Sequence, residues 1–173
     1  SKFVSFGNKI DVEEPEMLQY LLHDEKTRVV LLYAESIEAG RDFVKVAREV
    51  TRVKPIVALK SGKTEAGARA ALSHTGAIAG SDRIYDSVFA QVGVIRAREM
   101  EEFLDVGEAL ASQPPAAGNN VAVITSAGGP AIMAVDECES RGINVKKFSD
   151  ETVQKFEELK KMGKVPSFAT NFN

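Results

Sequence analysis

A histidine among small residues is the first candidate for chemistry in this 173-residue chain. His74 stands in the run Ser73-His74-Thr75-Gly76-Ala77, whose small side chains leave the imidazole open to a bulky partner. No second histidine or cysteine lies nearby in sequence, which disfavours a metal site. The absence of a Gly-x-Ser-x-Gly elbow disfavours Ser-His-Asp hydrolysis. A nucleophilic imidazole that carries a transferred group is the remaining chemical use, and a structural loop histidine is the alternative.

A carboxylate offers a partner for such an imidazole. Glu35 lies two residues beyond the apolar run 29–33, which predicts a strand that ends just before it. A carboxylate at the end of a strand can orient one imidazole nitrogen, fix the tautomer and stabilise the cation. The alternative is a loop carboxylate near the start of the next helix, where the helix dipole favours negative charge.

A glycine pair supplies a candidate anion site. Ser126, Ala127, Gly128 and Gly129 follow the apolar run 121–125 and precede Pro130. Glycines allow a tight turn with exposed N–H groups, and proline suits the first turn of a helix. The free amides and the positive dipole end of that helix would attract an anion such as phosphate. A purely structural strand-to-helix turn is the alternative.

The run Gly62-Lys63-Thr64 has the end of a P-loop but not its beginning. The motif needs a glycine at position 57, and that position holds Val57 inside a predicted strand. The spacing therefore excludes a P-loop.

The elements that must position these residues alternate between strands and helices. The pattern predicts strands at 3–6, 29–33, 55–59, 93–96, 121–125 and 143–145, with 29–33 and 55–59 buried on both faces. It predicts helices at 12–22, 39–50, 82–92, 98–110, 130–140 and 152–162, with Ile84, Val88 and Phe89 on the apolar face of the third. We expect His23 at an exposed helix end and Ser149 as an N-cap. Such alternation indicates an α/β fold with parallel sheets covered by helices.

A Pro-, Ala- and Gly-containing stretch divides the pattern. Residues 113–119 include two prolines and a glycine, and the strand–helix rhythm restarts beyond them. We therefore expect two α/β units, at 1–112 and 120–173, joined by a linker at 113–119.

Composition narrows the class of protein. The chain has 22 basic and 25 acidic residues and a hydrophobic fraction of 44%. This apolar fraction excludes disorder, the single Cys138 excludes a disulfide scaffold, and the net charge of -3 argues against nucleic-acid binding. No apolar run is long enough to cross a membrane. We expect a soluble protein of a reducing compartment, the cytoplasm.

Several segments, in order along the whole chain, resemble the NDP-forming acyl-CoA synthetases, the superfamily of succinyl-CoA synthetase and the ADP-forming acetate–CoA ligases. The most specific is Gly67-Ala68-Arg69-Ala70-Ala71-Leu72-Ser73-His74-Thr75-Gly76. The others are Ser5-Phe6-Gly7-Asn8-Lys9-Ile10-Asp11, Leu32-Tyr33-Ala34-Glu35, Lys54-Pro55-Ile56-Val57-Ala58-Leu59-Lys60-Ser61-Gly62 and Thr125-Ser126-Ala127-Gly128-Gly129-Pro130. The Ser-His-Thr-Gly form is closer to the acetate-type ligases than to the succinate enzyme.

The resemblance implies a fold, a reaction and roles for the candidate residues. It implies two flavodoxin-like units, both incomplete, of an enzyme that converts acyl-CoA, phosphate and ADP into acid, CoA and ATP. His74 would carry the phosphoryl group, Glu35 would orient it, and Ser126, Ala127, Gly128 and Gly129 would bind phosphate at the start of a "power helix". Ser126 stands where relatives have asparagine, which leaves the backbone amides as the expected contact.

The resemblance also implies partners and cofactors. CoA, ADP or ATP, and Mg would bind outside this chain, on a CoA-binding domain and an ATP-grasp domain or subunit, and phosphate on His74 would be the only covalent group. We expect a small acid substrate, an oligomer, no resident metal, no nucleic acid and no membrane. Since the chain begins without Met and ends at Asn173 without a terminating signal, we expect a central piece of a larger enzyme, inactive alone. A non-catalytic flavodoxin-like binding or assembly module is the alternative.

Overall fold

The computed structural model describes residues 2–6, 9, 11–64, 66–67, 82–114 and 116–165. The chain divides into two compact units, Ser1–Pro115 and Ala116–Asn173. Both are α/β units with parallel strands, which confirms the predicted fold class.

The first unit is built on a three-stranded parallel sheet in the order β1-β2-β3. Its described elements, in chain order, are α1 (Glu14–Leu22), β1 (Val30–Ala34), α2 (Gly40–Val50), β2 (Ile56–Lys60), α3 (Asp82–Val92), β3 (Ile95–Ala97) and α4 (Met100–Ser112). Val30 is aligned with Ile56 and Val57 with Ile95, so the three strands end at one edge of the sheet.

Helices cover both faces of this sheet because β2 alternates its apolar side chains between two hydrophobic clusters. On one face, Ile56 and Ala58 pack with buried residues of α1, α2 and α3 (Leu18, Phe43, Ala47, Val50, Phe89 and Val92). On the other face, Val57 and Leu59 pack with Phe103 of α4. β2 is accordingly buried along its whole length, as predicted.

Three sequence-based expectations in this unit are wrong. Residues 3–6 form no strand: apolar alternation over four residues, without a paired neighbour among the described strands, leaves Phe3 exposed. β1 is buried on one face only, with Leu31 43% and Tyr33 52% exposed, since α4 covers mainly β2 and β3 on that side. On α3, Tyr85 rather than Ile84 packs beside Val88 and Phe89 against the core, and Ile84 is exposed.

The second unit contains β4 (Asn120–Val121), α5 (Gly128–Ser140), β5 (Asn144–Val145) and α6 (Asp150–Lys161). β4 and β5 pair in parallel over two residues, so the strand predicted at 121–125 is reduced to its first residue because no further described partner extends the pairing. Ser149 caps α6 as predicted, accepting a hydrogen bond from the Thr152 amide at 3.3 Å.

No helix in the described part of the chain is both long and apolar enough to span a bilayer.

Candidate functional site

The carboxyl edge of the first sheet brings polar residues together. Ala34 is aligned with Lys60, and the Ser61 amide donates a hydrogen bond to the Ala34 carbonyl oxygen at 3.1 Å. Glu35 therefore follows directly beside the end of β2. In parallel α/β sheets this edge is where ligands bind.

Glu35 has a hydrogen-bonding atom with no described partner. The residue is partly buried, and its Oε2 is buried and accepts no hydrogen bond from any described group. A buried carboxylate oxygen without a partner costs free energy, so native proteins usually satisfy such an atom. The Glu35 carboxylate is thus available to accept one more donor.

The loop after Glu35 is held by side chains from three different parts of the unit. Each side chain bonds a different backbone group between β1 and α2. The three bonds are Lys9 Nζ to the Ser36 carbonyl oxygen at 2.7 Å, the Ile37 amide to Tyr85 Oη at 3.1 Å, and the Ala39 amide to Glu13 Oε2 at 3.2 Å. Lys9 also forms an ion pair with the buried Glu14. These bonds fix the backbone immediately beyond Glu35.

Lys60 places a buried cation at the end of β2. Its side chain is only 1% exposed, although lysine is seldom fully buried. The Nζ atom donates to the Ser61 carbonyl oxygen and lies 4.8 Å from the centroid of the Tyr85 ring, a cation–π distance. Burial lowers the pKa of Lys60, while the Asp82 charge raises it, Arg96 lowers it and Glu35 raises it.

Arg96 links β3 to the start of α3. Its guanidinium forms ion pairs with Asp82 at 2.5 Å and with Asp86 at 2.6 Å, while its Nε is buried without a described partner. Burial lowers the pKa of Arg96, but the hydrogen bonds to Asp82 and Asp86 outweigh it and raise the pKa overall. These ion pairs hold α3, and Tyr85 with it, against the sheet.

The remaining candidates differ in how far the structure describes them. His74, the proposed nucleophile, lies outside the described residues. Val57 lies within β2, in agreement with the exclusion of a P-loop. His23 is the exposed C-cap of α1, as predicted.

The candidate phosphate-binding residues open α5 in the second unit. The helix begins at Gly128, Ala127 is its N-cap without a side-chain cap, and residues 126–129 are exposed. The Ala127 amide is bonded to Thr125 Oγ1 at 3.1 Å. A Cβ added at Gly128 or Gly129 would meet no atom within 4 Å, so both approaches are open. The first turn of a helix leaves backbone N–H groups without intrahelical partners, which suits an anion.

Sequence reasoning missed Lys60, Tyr85 and Arg96. The sequence does show Lys60 and Arg96 as charged residues at the ends of apolar runs. A buried charge in such a place needs a partner, so this pattern could have indicated both residues. Tyr85 carried no local signal. Among the described residues, no group of three or more His, Cys, Asp or Glu residues could hold a metal ion.

The chain has clear relatives. Residues 1–110 match the family described as the succinyl-CoA ligase like flavodoxin domain. The chain is 43% identical over 159 residues to the acetate–CoA ligase (ADP-forming) of Methanocaldococcus jannaschii, covering 92% of this chain and 22% of that enzyme. It is 44% identical over 145 residues to the acetate–CoA ligase (ADP-forming) I subunit alpha of Pyrococcus furiosus, covering 84% of this chain and 31% of that subunit.

A solved structure agrees with these relatives. The dinucleotide-forming acetyl-coenzyme A synthetase 1 of Candidatus Korarchaeum cryptofilum, in complex with phosphate and ADP, is 38% identical with a TM-score of 0.85. The match covers 98% of this chain and 36% of that one, so the chain spans only part of each relative's length. The resemblance inferred from the sequence is confirmed: the chain belongs to the succinyl-CoA ligase-like flavodoxin domain family.

Proposed function

We propose that this chain is the phosphohistidine-bearing portion of an ADP-forming acyl-CoA ligase of the acetate–CoA ligase type. His74 carries the phosphoryl group, Glu35 orients the imidazole, and residues 126–129 bind phosphate. The net reaction converts acyl-CoA, phosphate and ADP into the free acid, CoA and ATP.

The reaction proceeds in three transfers. A phosphate oxygen attacks the thioester carbonyl, the C–S bond breaks, and CoA leaves as its thiol while an acyl phosphate forms. An imidazole nitrogen of His74 then attacks phosphorus, and the P–O bond to the acid breaks, so the carboxylate leaves. A terminal oxygen of ADP finally attacks the phosphohistidine, the P–N bond breaks, and ATP forms with free histidine.

The Glu35 carboxylate carries this proposal. Its Oε2 is buried without a described partner at the ligand-binding edge of the sheet, and the loop beyond it is fixed by three side-chain bonds. A held carboxylate of this kind suits an imidazole N–H, whose cation it stabilises as phosphorus is attacked. The segment that leads to His74 leaves β2 directly beside Glu35.

The start of α5 supports the phosphate site. Positive dipole ends and free amides bind phosphate oxygens without a cationic side chain, and the first turn here contains no acidic residue. Because the residues are exposed and both glycines are open, a phosphoryl group can reach the backbone. Ser126, in place of the expected asparagine, leaves this backbone contact unchanged.

The remaining parts of the reaction are assigned outside this chain. A CoA-binding domain and an ATP-grasp domain or subunit would bind CoA, the nucleotide and Mg, and the small acid would be released there. We propose further that the complete enzyme is an oligomer and acts in the cytoplasm.

Labelling of the complete enzyme with ATP that is radioactive at the γ-phosphate tests the proposal. We expect one acid-labile, base-stable label per active site, its loss in His74→Asn, and much slower labelling in Glu35→Gln. His23→Asn is the matched control because His23 is an exposed helix cap, and it should label normally. Label retained in His74→Asn would refute the role of His74. An unlabelled wild-type enzyme would instead favour a non-catalytic module.

A further inference from the structure

The buried ammonium group of Lys60 is not matched by the contacts that it makes. Its direct described partners are the Ser61 carbonyl oxygen and the face of the Tyr85 ring, and none of the described carboxylates lies within ion-pair distance of its Nζ. A buried charge is costly unless an opposite charge compensates it. An apolar side chain of the same length would fill this place at lower cost, which indicates that the charge has a use.

The use is indicated by the arrangement of Lys60 and Glu35. Lys60 is aligned with Ala34, the residue directly before Glu35. A buried ammonium without a described ion-pair partner therefore lies at the end of one strand, and a carboxylate whose Oε2 has no described hydrogen-bond donor follows the neighbouring strand. Burial lowers the pKa of Lys60 overall; among the neighbouring charges, Asp82 raises this pKa most, Arg96 lowers it, and Glu35 raises it least. Asp82 is already bonded to Arg96, whereas Glu35 Oε2 has no described partner.

Tyr85 joins the two charged residues mechanically. Its ring face contacts the Lys60 ammonium, and its hydroxyl oxygen accepts the Ile37 amide two residues beyond Glu35. A change at Lys60 therefore reaches Glu35 both through charge and through the backbone of its loop.

We propose that Lys60 is a positioning residue for Glu35: its buried ammonium at the end of β2 holds the Glu35 carboxylate in place at the sheet edge, ready to orient an imidazole. This proposal rests on the proposed function for its catalytic consequence. In this role Lys60 acts through Glu35 and not directly on the group that is transferred.

Phosphohistidine formation in the complete enzyme tests this role. Lys60→Met keeps the length and the apolar stem but removes the charge, and Lys60→Arg keeps the charge. We expect Lys60→Met to slow phosphoryl transfer on the order of tenfold, which corresponds to about 1.4 kcal/mol in the barrier, with the KM for ATP little changed. Lys60→Arg should recover part of the rate. A wild-type rate in Lys60→Met would overturn the proposal.

A double-mutant cycle separates positioning from simple structural support. If Lys60 acts through Glu35, Lys60→Met should slow the Glu35→Gln enzyme far less than it slows the wild type. If Lys60 only supports the fold, the rate losses of the two single variants should multiply in the double variant. That outcome would refute the positioning role.

A measurement independent of activity distinguishes failure of this proposal from failure of the proposed function. The titration of Lys60 can be followed by NMR in protein labelled with ¹³C at lysine Cε. We expect Glu35→Gln to lower the pKa of Lys60 further, as Asp82→Asn should also do as a positive control. A lower pKa in Asp82→Asn but not in Glu35→Gln would refute the coupling even if the enzyme forms phosphohistidine. If the wild type forms no phosphohistidine while Glu35→Gln lowers this pKa, the coupling stands and only the assigned reaction fails.

Discussion

The hydroxyl of Tyr85 should hold the loop that follows Glu35. Tyr85→Phe removes only the acceptor of the Ile37 amide, at 3.1 Å, and leaves the ring on Lys60 and against Phe89. A neutral hydrogen bond of this kind contributes about 1 kcal/mol net. We therefore expect local opening at Ile37 to become about fivefold more frequent, since about 1.4 kcal/mol corresponds to a factor of ten.

Removing the ring as well should cost more, in proportion to its contacts. Tyr85→Leu also loses the cation–π contact with Lys60, worth about 0.5–2 kcal/mol, and the edge contact with Phe89, worth about 0.5–1.5 kcal/mol. With about 1 kcal/mol for the hydroxyl, the total is about 2–4.5 kcal/mol. The two variants should thus differ clearly in their free energy of unfolding, while both lose the hydrogen bond that protects the Ile37 amide.

Amide hydrogen exchange of Ile37, followed by NMR in the full chain, measures this effect directly. Urea unfolding followed by circular dichroism gives the stability of both variants. Tyr20→Phe is the matched control, because Tyr20 lies on α1 and its hydroxyl accepts a hydrogen bond from the exposed Lys2, so that exchange at Ile37 should not change in this variant. An exchange rate at Ile37 equal to that of the wild type in Tyr85→Phe would show that the hydroxyl does not hold the loop.

Three further predictions concern the core, a pH effect and a helix cap. Phe89 is 1% exposed between two aromatic rings, so Phe89→Ala should lower the free energy of unfolding by about 3–5 kcal/mol in urea, and Phe89→Leu by clearly less. A hydrogen bond from Thr27 is the main cause that lowers the pKa of Asp24, so Thr27→Val should raise this pKa toward 3.8 in an NMR titration. Since a lowered carboxylate pKa stabilises the fold above the unfolded value and this stability is lost as pH falls, Thr27→Val should also flatten the acid side of the stability curve. Ser149→Ala should lower the stability of the second unit by about 1 kcal/mol, measured by urea unfolding, because the Thr152 amide loses its cap.

Each of these predictions has an outcome that contradicts it. Equal free energies of unfolding for Phe89→Ala and Phe89→Leu would contradict the first prediction, because they would mean that the core closes around the smaller side chain without cost. An unchanged Asp24 titration would assign its low pKa to the Lys2 ion pair, the second cause. Equal unfolding of Ser149→Ala and the wild type would show that the cap is not needed.

The sequence predicted the elements whose patterns are long enough to be specific. Helices α2 and α6 lie within one or two residues of their expected bounds, because a buried apolar face marks α2 and a Ser149 cap marks α6. The strand expected at 3–6 was wrong, because so short a run depends on a pairing partner that local sequence cannot reveal. For the same reason β4 is shorter than its apolar run.

The site was predicted where chemistry is local and missed where it depends on packing. Glu35 and Gly128 follow apolar runs, so their place at strand and helix ends could be inferred from order alone. Tyr85 could not be found in this way, since the residues that it contacts, Lys60 and Ile37, lie 25 and 48 positions away from it in the sequence. The expected role of His74 stays a prediction.

Tyr85 makes the stability of the first core and the geometry of the sheet edge interdependent. Its ring packs against Phe89, which in turn packs against Phe43, while its other contacts reach Lys60 and the loop after Glu35. A core substitution that shifts Phe89 must therefore move the ring that covers the Lys60 charge. Lost activity in such a variant would say nothing about catalysis by itself. Only a change that keeps the core and removes one polar contact, such as Tyr85→Phe, separates positioning of Glu35 from folding.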